Sequence, residues 1–306
     1  MSHANFNQLR DTDMNRPEKG KSIKKNISET LKSLGFALIA VVILNSFVLA
    51  SFQVPTGSME NTVLAGDFLF VNKFIYGGTT PPTIPIIGIL FGKEIEIPYF
   101  RVPGFTDPEK GDVIVFIFPG YREEVKARDF QYYLKRCVAT AGDTLQIIDK
   151  QVFVNGEEQE NPDGIIYSRD IEPEGSISHD IFPRGKSWTR DNYGPLRIPA
   201  KGDVIEVHQE NIHEWDTFIR REGHEVTMRG GDILIDGTVA TTYSVKRDYV
   251  FGMGDNRDDS LDSRFWGFIP EEYVIGSPMI VYWSMDPSIH NVFKKIRFSR
   301  MFSIIR

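Results

Sequence analysis

The sequence has little cysteine and no excess of positive charge. Cys137 is the single cysteine among 306 residues, so no disulfide can form within the chain and no cysteine-based metal site can be assembled. The 35 lysines and arginines are outnumbered by 42 aspartates and glutamates, which gives a net charge of −7. Nucleic-acid binding depends on many Lys and Arg contacts to phosphate. We therefore predict no nucleic-acid partner.

Long apolar runs are also scarce, and a single one is long enough to cross a membrane. Residues 33–59 carry no charge, and residues 34–52 are mostly Leu, Ile, Val, Ala and Phe. A helix over those 19 residues is about 28 Å long, close to the thickness of the bilayer core. A cleaved signal peptide is the alternative, since Ala50 and nearby serines resemble a cleavage site, but its apolar region would be shorter. We predict a transmembrane helix over residues 33–53 after a flexible tail over residues 1–32.

The charges beside this segment predict its orientation. Seven Lys and Arg residues lie within residues 1–32, whereas the 15 residues after Phe52 contain none. Because segments rich in Lys and Arg stay in the cytoplasm, we expect the N-terminus to be cytoplasmic. The rest of the chain would then lie on the outer side of the cytoplasmic membrane.

Gly-Asp pairs recur along the chain after the apolar segment, and they predict an all-β fold. Six such pairs occur, and five lead into short runs rich in Val, Ile, Leu or Phe, which is typical of a turn that enters a strand. The five runs are residues 68–71, 113–118, 145–148, 204–207 and 233–235. Asn155-Gly156 and Asp236-Gly237 predict two hairpin turns, because both central positions of such a turn favour positive φ.

The composition divides this β-rich part into segments. Between residues 161 and 230 it shifts toward Pro, Gly, His and charge with little alternation, and we predict an inserted β-rich cap domain there. The flanking residues 54–160 and 231–290 then form a core in two parts. Residues 291–306 alternate basic with aromatic and aliphatic residues, which indicates a basic amphipathic C-terminal segment.

Three stretches carry residues suited to hydrolytic chemistry. They contain Ser58 directly after the apolar span, Lys135 in an apolar strand, and a polar loop over residues 254–264. The sixth Gly-Asp pair opens this loop instead of a strand, and such a departure in a rigid scaffold indicates function. A serine needs a base to become a nucleophile. Since none of the six histidines lies in these stretches, Lys135 is the better candidate base.

The sequence around Lys135 favours a neutral amine. An ordinary lysine has a pKa near 10.4, so only about one in 2,500 is neutral at pH 7. Apolar neighbours on both sides of Lys135 predict burial, which disfavours the ammonium form. Lowering its pKa to about 8 requires roughly 3.3 kcal/mol of differential environment. A strand-edge lysine facing water is the alternative, and Arg136 should point to the opposite face of the strand.

The aspartates of the polar loop invite comparison with a calcium site. Counting from Asp255, the sixth position is Ser260 where an EF-hand needs Gly, and the twelfth is Trp266 where it needs Glu. The EF-hand pattern is therefore not met. We predict no metal ion and no cofactor.

In order and spacing, the three stretches resemble the bacterial type I signal peptidases, membrane-bound serine proteases that use a Ser/Lys dyad. The resemblance covers residues 51 to about 283 and is most specific over residues 254–267. It implies that Ser58 is the nucleophile and Lys135 the general base, while Ser260 orients the lysine amine.

The resemblance also implies supporting residues. Asp262 and Arg264 would form an ion pair behind the site, while the Thr56 hydroxyl and the Ser58 N–H would stabilise the oxyanion. Matching positions in the family line shallow pockets for the residues one and three before the cut, here Val54, Pro55, Met59, Val63, Tyr133 and Leu134. Small apolar walls admit small side chains, so cleavage is expected after Ala-x-Ala.

Two features depart from the family pattern. Ala141-Gly142-Asp143 stands where the family usually has Pro-Gly-Asp, and one span is present where many relatives have two. Neither departure touches the dyad.

The expected function is therefore a membrane-anchored endopeptidase that removes signal peptides from exported preproteins. Its expected partners are preprotein signal peptides, the lipid bilayer and the secretion translocon. A non-catalytic β-rich adaptor of the cell envelope with one span is the first alternative. A self-cleaving repressor-type Ser/Lys protease is the second, although its cytosolic, DNA-linked role fits neither the span nor the acidity.

Overall fold

The structure is a computed structural model that describes residues 19–80, 100–173, 176, 178–291 and 294–305. The chain divides into two compact units, with the boundary after Leu44. Its fold is mainly β with one long N-terminal helix, which confirms the predicted fold class.

Helix α1 (Lys19–Phe47) contains residues 33–47 of the predicted span. Its residues Asn26–Phe47 are long and apolar enough to cross a membrane, with a mean hydropathy of 1.9. The helix begins inside the predicted flexible tail, because residues 19–32 combine Lys, Ile, Glu and Leu without a proline that would interrupt it. Residues 1–18 of that tail lie outside the described residues.

Helix α1 ends at Phe47, before the predicted end of the span at residue 53. Strand β1 (Leu49–Gln53) follows and pairs antiparallel with strand β2 (Asp67–Asn72). Hydrogen bonds to β2 satisfy the backbone of these residues, so an apolar run that also suits a helix adopts an extended conformation.

A large antiparallel sheet forms the centre of the second unit. Its further strands are β3 (Val113–Ile117), β4 (Tyr132–Ala139), β14 (Tyr249–Met253), β15 (Ile269–Pro270), β16 (Val274–Ser284) and β17 (Ser303–Ile304). The order across the sheet is β1, β2, β16, β3, β4, β14, β15, and β17 pairs with β16. Strand β4 therefore lies between β3 and β14 and carries Lys135 into the middle of the sheet.

Smaller sheets, two α-helices and two 3₁₀ turns (Glu271–Tyr273 and Phe298–Arg300) complete the described part of this unit. One sheet contains β5 (Thr144–Ile148), β6 (Gln151–Val154), β7 (Glu157–Glu158) and β8 (Tyr193–Arg197). Another contains β10 (Val226–Arg229), β11 (Asp232–Ile235) and β12 (Thr238–Val239), and β9 (Val204–Glu206) pairs with β13 (Thr242–Ser244). The helices are α2 (Ile212–Arg221) and the single turn α3 (Ser263–Trp266).

The turn signals correctly located the strands that follow them. The five apolar runs after Gly-Asp pairs coincide with β2, β3, β5, β9 and β11, although Phe118 and Val207 follow the ends of β3 and β9. Asn155 and Gly156 have φ values of 55° and 81° between β6 and β7. Asp236 and Gly237 have values of 51° and 77° between β11 and β12. Positive φ at both central positions is what such hairpin turns require.

The segment 161–230, predicted as a β-rich insertion, also contains helix α2. Phe218 and Ile219 of α2 are buried in the same apolar cluster as Leu145 of β5 and Phe251 of β14. The segment therefore shares one apolar core with the parts of the chain on either side of it.

Candidate active site

Ser58 lies in the connection between β1 and β2, which is anchored to the core. Val54 N–H donates to the Asp67 carbonyl oxygen at 2.8 Å, and Val63 N–H donates to the Met59 carbonyl oxygen at 2.8 Å. Met59 and Val63 lie at the two ends of this turn, in which Asn61 has a φ of 76°, and both side chains are buried. Ser58 precedes this turn and remains partly exposed.

Lys135 reaches Ser58 from strand β4. Its Nζ lies 2.6 Å from Ser58 Oγ, although the two residues are 77 positions apart in the sequence. Lys135 is only 3% exposed. Gly252 on the neighbouring strand β14 makes room for its stem, because a Cβ at Gly252 would lie 3.0 Å from the Lys135 Cβ. The structure thus brings the predicted nucleophile and base into hydrogen-bond contact.

The environment of Lys135 favours the neutral amine. Burial lowers the pKa of Lys135 from 10.5 to about 8. The carboxylates of Asp262 and Asp255 oppose this shift because they stabilise the ammonium, whereas the Arg264 guanidinium adds to the lowering of the pKa. At pH 7 roughly one such amine in ten is neutral, so burial raises the fraction able to accept a proton by more than about a hundredfold.

The polar loop 254–264 folds back on itself behind the lysine. The Asp262 carboxylate accepts a hydrogen bond from Gly254 N–H at 3.1 Å and lies 2.8 Å from Arg264 Nη2. Both charged side chains are buried, at 0% and 2% exposure. Burial acts to raise the pKa of Asp262, but the Arg264 charge and hydrogen bonds outweigh it, so that the net pKa lies below its ordinary value. The pair predicted from the sequence therefore closes the loop and places one charge of each sign near Lys135.

Ser260 lies beside the site without the predicted hydrogen bond. Its Oγ is buried and has no hydrogen-bond partner among the described residues, so the expected contact with the Lys135 amine is not formed. Gly254 permits the close packing here, since a Cβ at Gly254 would lie 2.2 Å from Ser260 Oγ and 2.5 Å from the Ser58 carbonyl oxygen.

Thr56 and the Ser58 N–H are the oxyanion donors predicted from the sequence. The Thr56 hydroxyl lies 3.5 Å from Ser58 Oγ, and its residue is exposed. Among the described residues, no backbone carbonyl accepts from Ser58 N–H. Both groups are thus available to a bound carbonyl oxygen.

Metal ligands are not clustered in the described ranges. No group of three or more His, Cys, Asp or Glu side chains there is arranged to hold a metal ion.

Sequence comparison decides the family. The profile of the family described as "Signal peptidase, peptidase S26" matches residues 27–283, well over half of the chain. The chain belongs to this family. It is accordingly a serine endopeptidase, and the family match does not favour the adaptor alternative.

Individual relatives agree with this assignment. Signal peptidase I of Aquifex aeolicus is 28% identical over 261 residues, which cover 81% of this chain and 80% of that protein. Signal peptidase I of Pseudomonas aeruginosa is 28% identical over 273 residues, which cover 85% of this chain and 74% of that protein. The solved structure of a signal peptidase I from Enterococcus faecalis matches with 19% sequence identity and a TM-score of 0.28. The match covers 56% of this chain and 97% of that chain. The family assignment rests on the sequence matches and not on this superposition.

The predicted substrate pocket of this peptidase is only partly open. Met59 and Val63 are 1% and 0% exposed and belong to the core, so they offer no surface to a substrate in this conformation. Tyr133 and Leu134 are half-buried and Pro55 is exposed. Val54 is buried at 8% exposure. The six residues flank Ser58 and Lys135 in the sequence, but the turn after Ser58 places Met59 and Val63 in the core.

A second buried ion pair supports the peptidase site and was not predicted from the sequence. Arg136 follows Lys135 on β4 and binds Asp255 through two hydrogen bonds of 2.9 and 2.7 Å. Asn256, the next residue of the loop, donates its N–H to the Ser58 carbonyl oxygen at 3.1 Å. Arg136 and Asp255 thus tie the lysine strand to the loop that holds Ser58. An arginine inside a buried strand was the available signal, since a buried charge requires a partner.

Proposed function

We propose that this protein removes signal peptides from exported preproteins, with Ser58 as the nucleophile and Lys135 as the general base. The 2.6 Å contact between Ser58 Oγ and the buried Lys135 Nζ carries this proposal. A serine next to a lysine whose pKa is lowered to about 8 is equipped for nucleophilic catalysis without a histidine.

The chemistry follows from the positions of these groups. Neutral Lys135 accepts the Ser58 proton while Ser58 Oγ attacks the carbonyl carbon of the scissile bond. The Ser58 N–H and the Thr56 hydroxyl stabilise the resulting oxyanion. The lysine ammonium then donates its proton to the leaving amine, which releases the mature protein and leaves the signal peptide esterified to Ser58. A water molecule, deprotonated by Lys135, hydrolyses the ester and restores the serine.

The residues that line the pocket beside the dyad limit the size of the substrate side chains that fit. Pro55, Tyr133 and Leu134 are the pocket candidates that retain accessible surface. We expect cleavage after Ala-x-Ala, because a larger side chain one or three residues before the cut would overlap with these walls. Each added methylene or methyl group at either position should lower kcat/KM by about tenfold or more.

A series of preproteins tests both the activity and this selectivity. Detergent-solubilised full-length protein is incubated with a preprotein whose alanines at these two positions are replaced in turn by serine, valine and leucine, and the cut is mapped by mass spectrometry. Serine controls for polarity at nearly constant size and should be processed, whereas valine and leucine should not. Equal processing of leucine and alanine variants would refute the pocket assignment, and no cut in any preprotein would refute the proposed function.

The membrane arrangement is a further part of the proposal. Helix α1 anchors the protein in the bilayer, and the seven Lys and Arg residues before residue 33 favour a cytoplasmic N-terminus. The catalytic part then acts on the outer side of the cytoplasmic membrane, where the translocon delivers its substrates. Protease added to spheroplasts should degrade the catalytic part and spare an N-terminal epitope tag. Protection of the catalytic part with loss of the tag would reverse the orientation.

A further inference from the structure

Lys150 is a buried cation with no part in the reaction described above. It lies in the turn between β5 and β6 with a φ of 73° and is 9% exposed. Its Nζ lies 3.2 and 3.1 Å from the two carboxylate oxygens of Asp258. Asp258 belongs to the polar loop 254–264 that also carries Asp262. Lys150 therefore contacts the catalytic loop from outside it.

The same ammonium contacts a second segment. Ser168 N–H and Arg169 N–H both donate to the Asp258 carboxylate at 2.8 Å. Lys150 Nζ also donates to the Arg169 carbonyl oxygen at 2.6 Å. Lys150, Asp258 and these three backbone groups are joined by hydrogen bonds into one cluster.

Residues 165–169, here named the strap, run along the loop. Ile166 N–H donates to the Asp255 carbonyl oxygen at 2.8 Å, and Arg257 N–H donates to the Ile166 carbonyl oxygen at 3.0 Å. Ile166 and Asn256 are bridged in parallel. The strap thus holds the part of the loop that donates to Ser58, and Lys150 fixes the end of the strap to Asp258.

A second buried carboxylate shares the Lys150 ammonium. Asp191 Oδ2 lies 3.9 Å from Nζ, and the side chains of Asp191 and Asp258 are 3% and 1% exposed. If Lys150 lost its charge, the carboxylates of Asp258 and Asp191 would remain buried without the cation that now lies next to both. Buried charge without compensation is strongly unfavourable. The loop and the strap would then move apart so that water could reach the carboxylates.

We propose that Lys150 is a positioning residue that holds the catalytic loop in place by pairing with Asp258 and partly compensating the charge of Asp191. This inference rests on the proposed function, because the loop it holds surrounds the Ser58–Lys135 dyad. The loop carries Asp262 and Arg264, whose charges act on Lys135, and Asn256, which holds the Ser58 carbonyl oxygen. Displacements of about 1 Å in such supports reduce rates by up to about 10²-fold.

Lys150→Met tests the proposal, because methionine keeps a long unbranched side chain and removes the charge. We expect kcat to fall by about tenfold or more with KM within about twofold, since Lys150 acts through the loop and not on the substrate. Rates are measured with a preprotein on the full-length protein in detergent and expressed per active site, counted from the burst of Ser58 acylation by an acylating inhibitor. Lys201→Met is the matched control at an exposed lysine and should leave both constants unchanged.

The double variant Lys150→Met/Asp258→Asn separates charge from packing. Asparagine retains an oxygen for the Ser168 and Arg169 N–H groups but removes one of the two buried charges, so it should recover about threefold in kcat over Lys150→Met. An unchanged kcat in Lys150→Met, or a loss that the double variant does not recover, would overturn the proposal while wild-type cleavage still supported the proposed function. No cleavage by the wild-type protein would instead refute the proposed function.

Discussion

Replacing Ser58 by alanine should abolish preprotein cleavage, with kcat reduced by at least about 10³-fold. The variant loses the hydroxyl oxygen that Lys135 Nζ contacts at 2.6 Å, and with it the group proposed to attack the substrate. The backbone of residue 58 keeps its role, because its carbonyl oxygen still accepts from Asn256 N–H. We therefore expect the folded state to survive, with an unchanged melting temperature.

Processing of a preprotein and covalent labelling by an acylating inhibitor measure this effect together. Ser51→Ala is the matched control, since Ser51 is exposed on β1 and bonds the Tyr282 hydroxyl at 2.7 Å, away from the dyad contact. It should retain full processing and labelling. Cleavage or labelling of Ser58→Ala at a tenth of the wild-type rate would show that another group is the nucleophile.

Lys135→Met should also abolish cleavage and should at the same time stabilise the fold. Without the amine, no base accepts the Ser58 proton. The pKa of Lys135 lowered from 10.5 to about 8 means that burying its charged form costs about 3 kcal/mol. Methionine avoids that cost but loses the hydrogen bond to Ser58, which is worth about 1 kcal/mol. The net gain at pH 7 should raise the melting temperature by about 4 °C.

The sign of this effect depends on pH. Below about pH 8, Lys135 is protonated in both the folded and the unfolded state, so folding of the wild type includes the full free-energy cost of burying the ammonium. Between about pH 8 and its unfolded pKa of 10.5 the unfolded chain binds more protons, so wild-type stability rises with pH and the advantage of methionine shrinks. Thermal unfolding of both proteins at pH 7 and pH 10 measures the difference. A less stable Lys135→Met protein at pH 7 would contradict the assigned burial cost.

The same protonation step should govern wild-type activity. Since the neutral amine is the active base, kcat/KM should rise about tenfold per pH unit below pH 8 and level off above it. Lys135→Arg controls for positive charge in the site and should be inactive throughout, because guanidinium does not deprotonate at these pH values. A profile that is flat between pH 6 and 8 would exclude Lys135 as the base.

Much of the local structure was predictable from the sequence. Gly, Asn and Asp adopt positive φ through local backbone preferences, which do not depend on tertiary contacts. The strands after Gly-Asp pairs and the hairpins at Asn155 and Asp236 were therefore located correctly. Helix α2 was also accessible in principle, because its buried Ile212, Phe218 and Ile219 follow a helical spacing. The prediction of a β-rich insertion did not include it.

The C-terminal end of α1 could not be predicted from the local sequence pattern. Residues 49–53 are as apolar as the helix before them, and periodicity alone does not separate a buried helix from a strand in so short a run. Pairing with β2, which lies more than ten residues away, decides that they are extended. The sequence of residues 49–53 does not indicate that β2 will pair with them.

By itself, the sequence determined the apolar segment and the mainly β class, and the order of its motifs pointed to Ser58, Lys135 and the loop 254–264 as the candidate site. Those properties depend on composition, short-range turn chemistry and residue order. Only the tertiary structure decided that Ser58 and Lys135 touch, that Met59 lies in the core, and that Lys150 contacts Asp258. These contacts join residues that are far apart along the chain. Their distances depend on how the strands pair and on which charges are buried together, and neither is encoded within any single stretch.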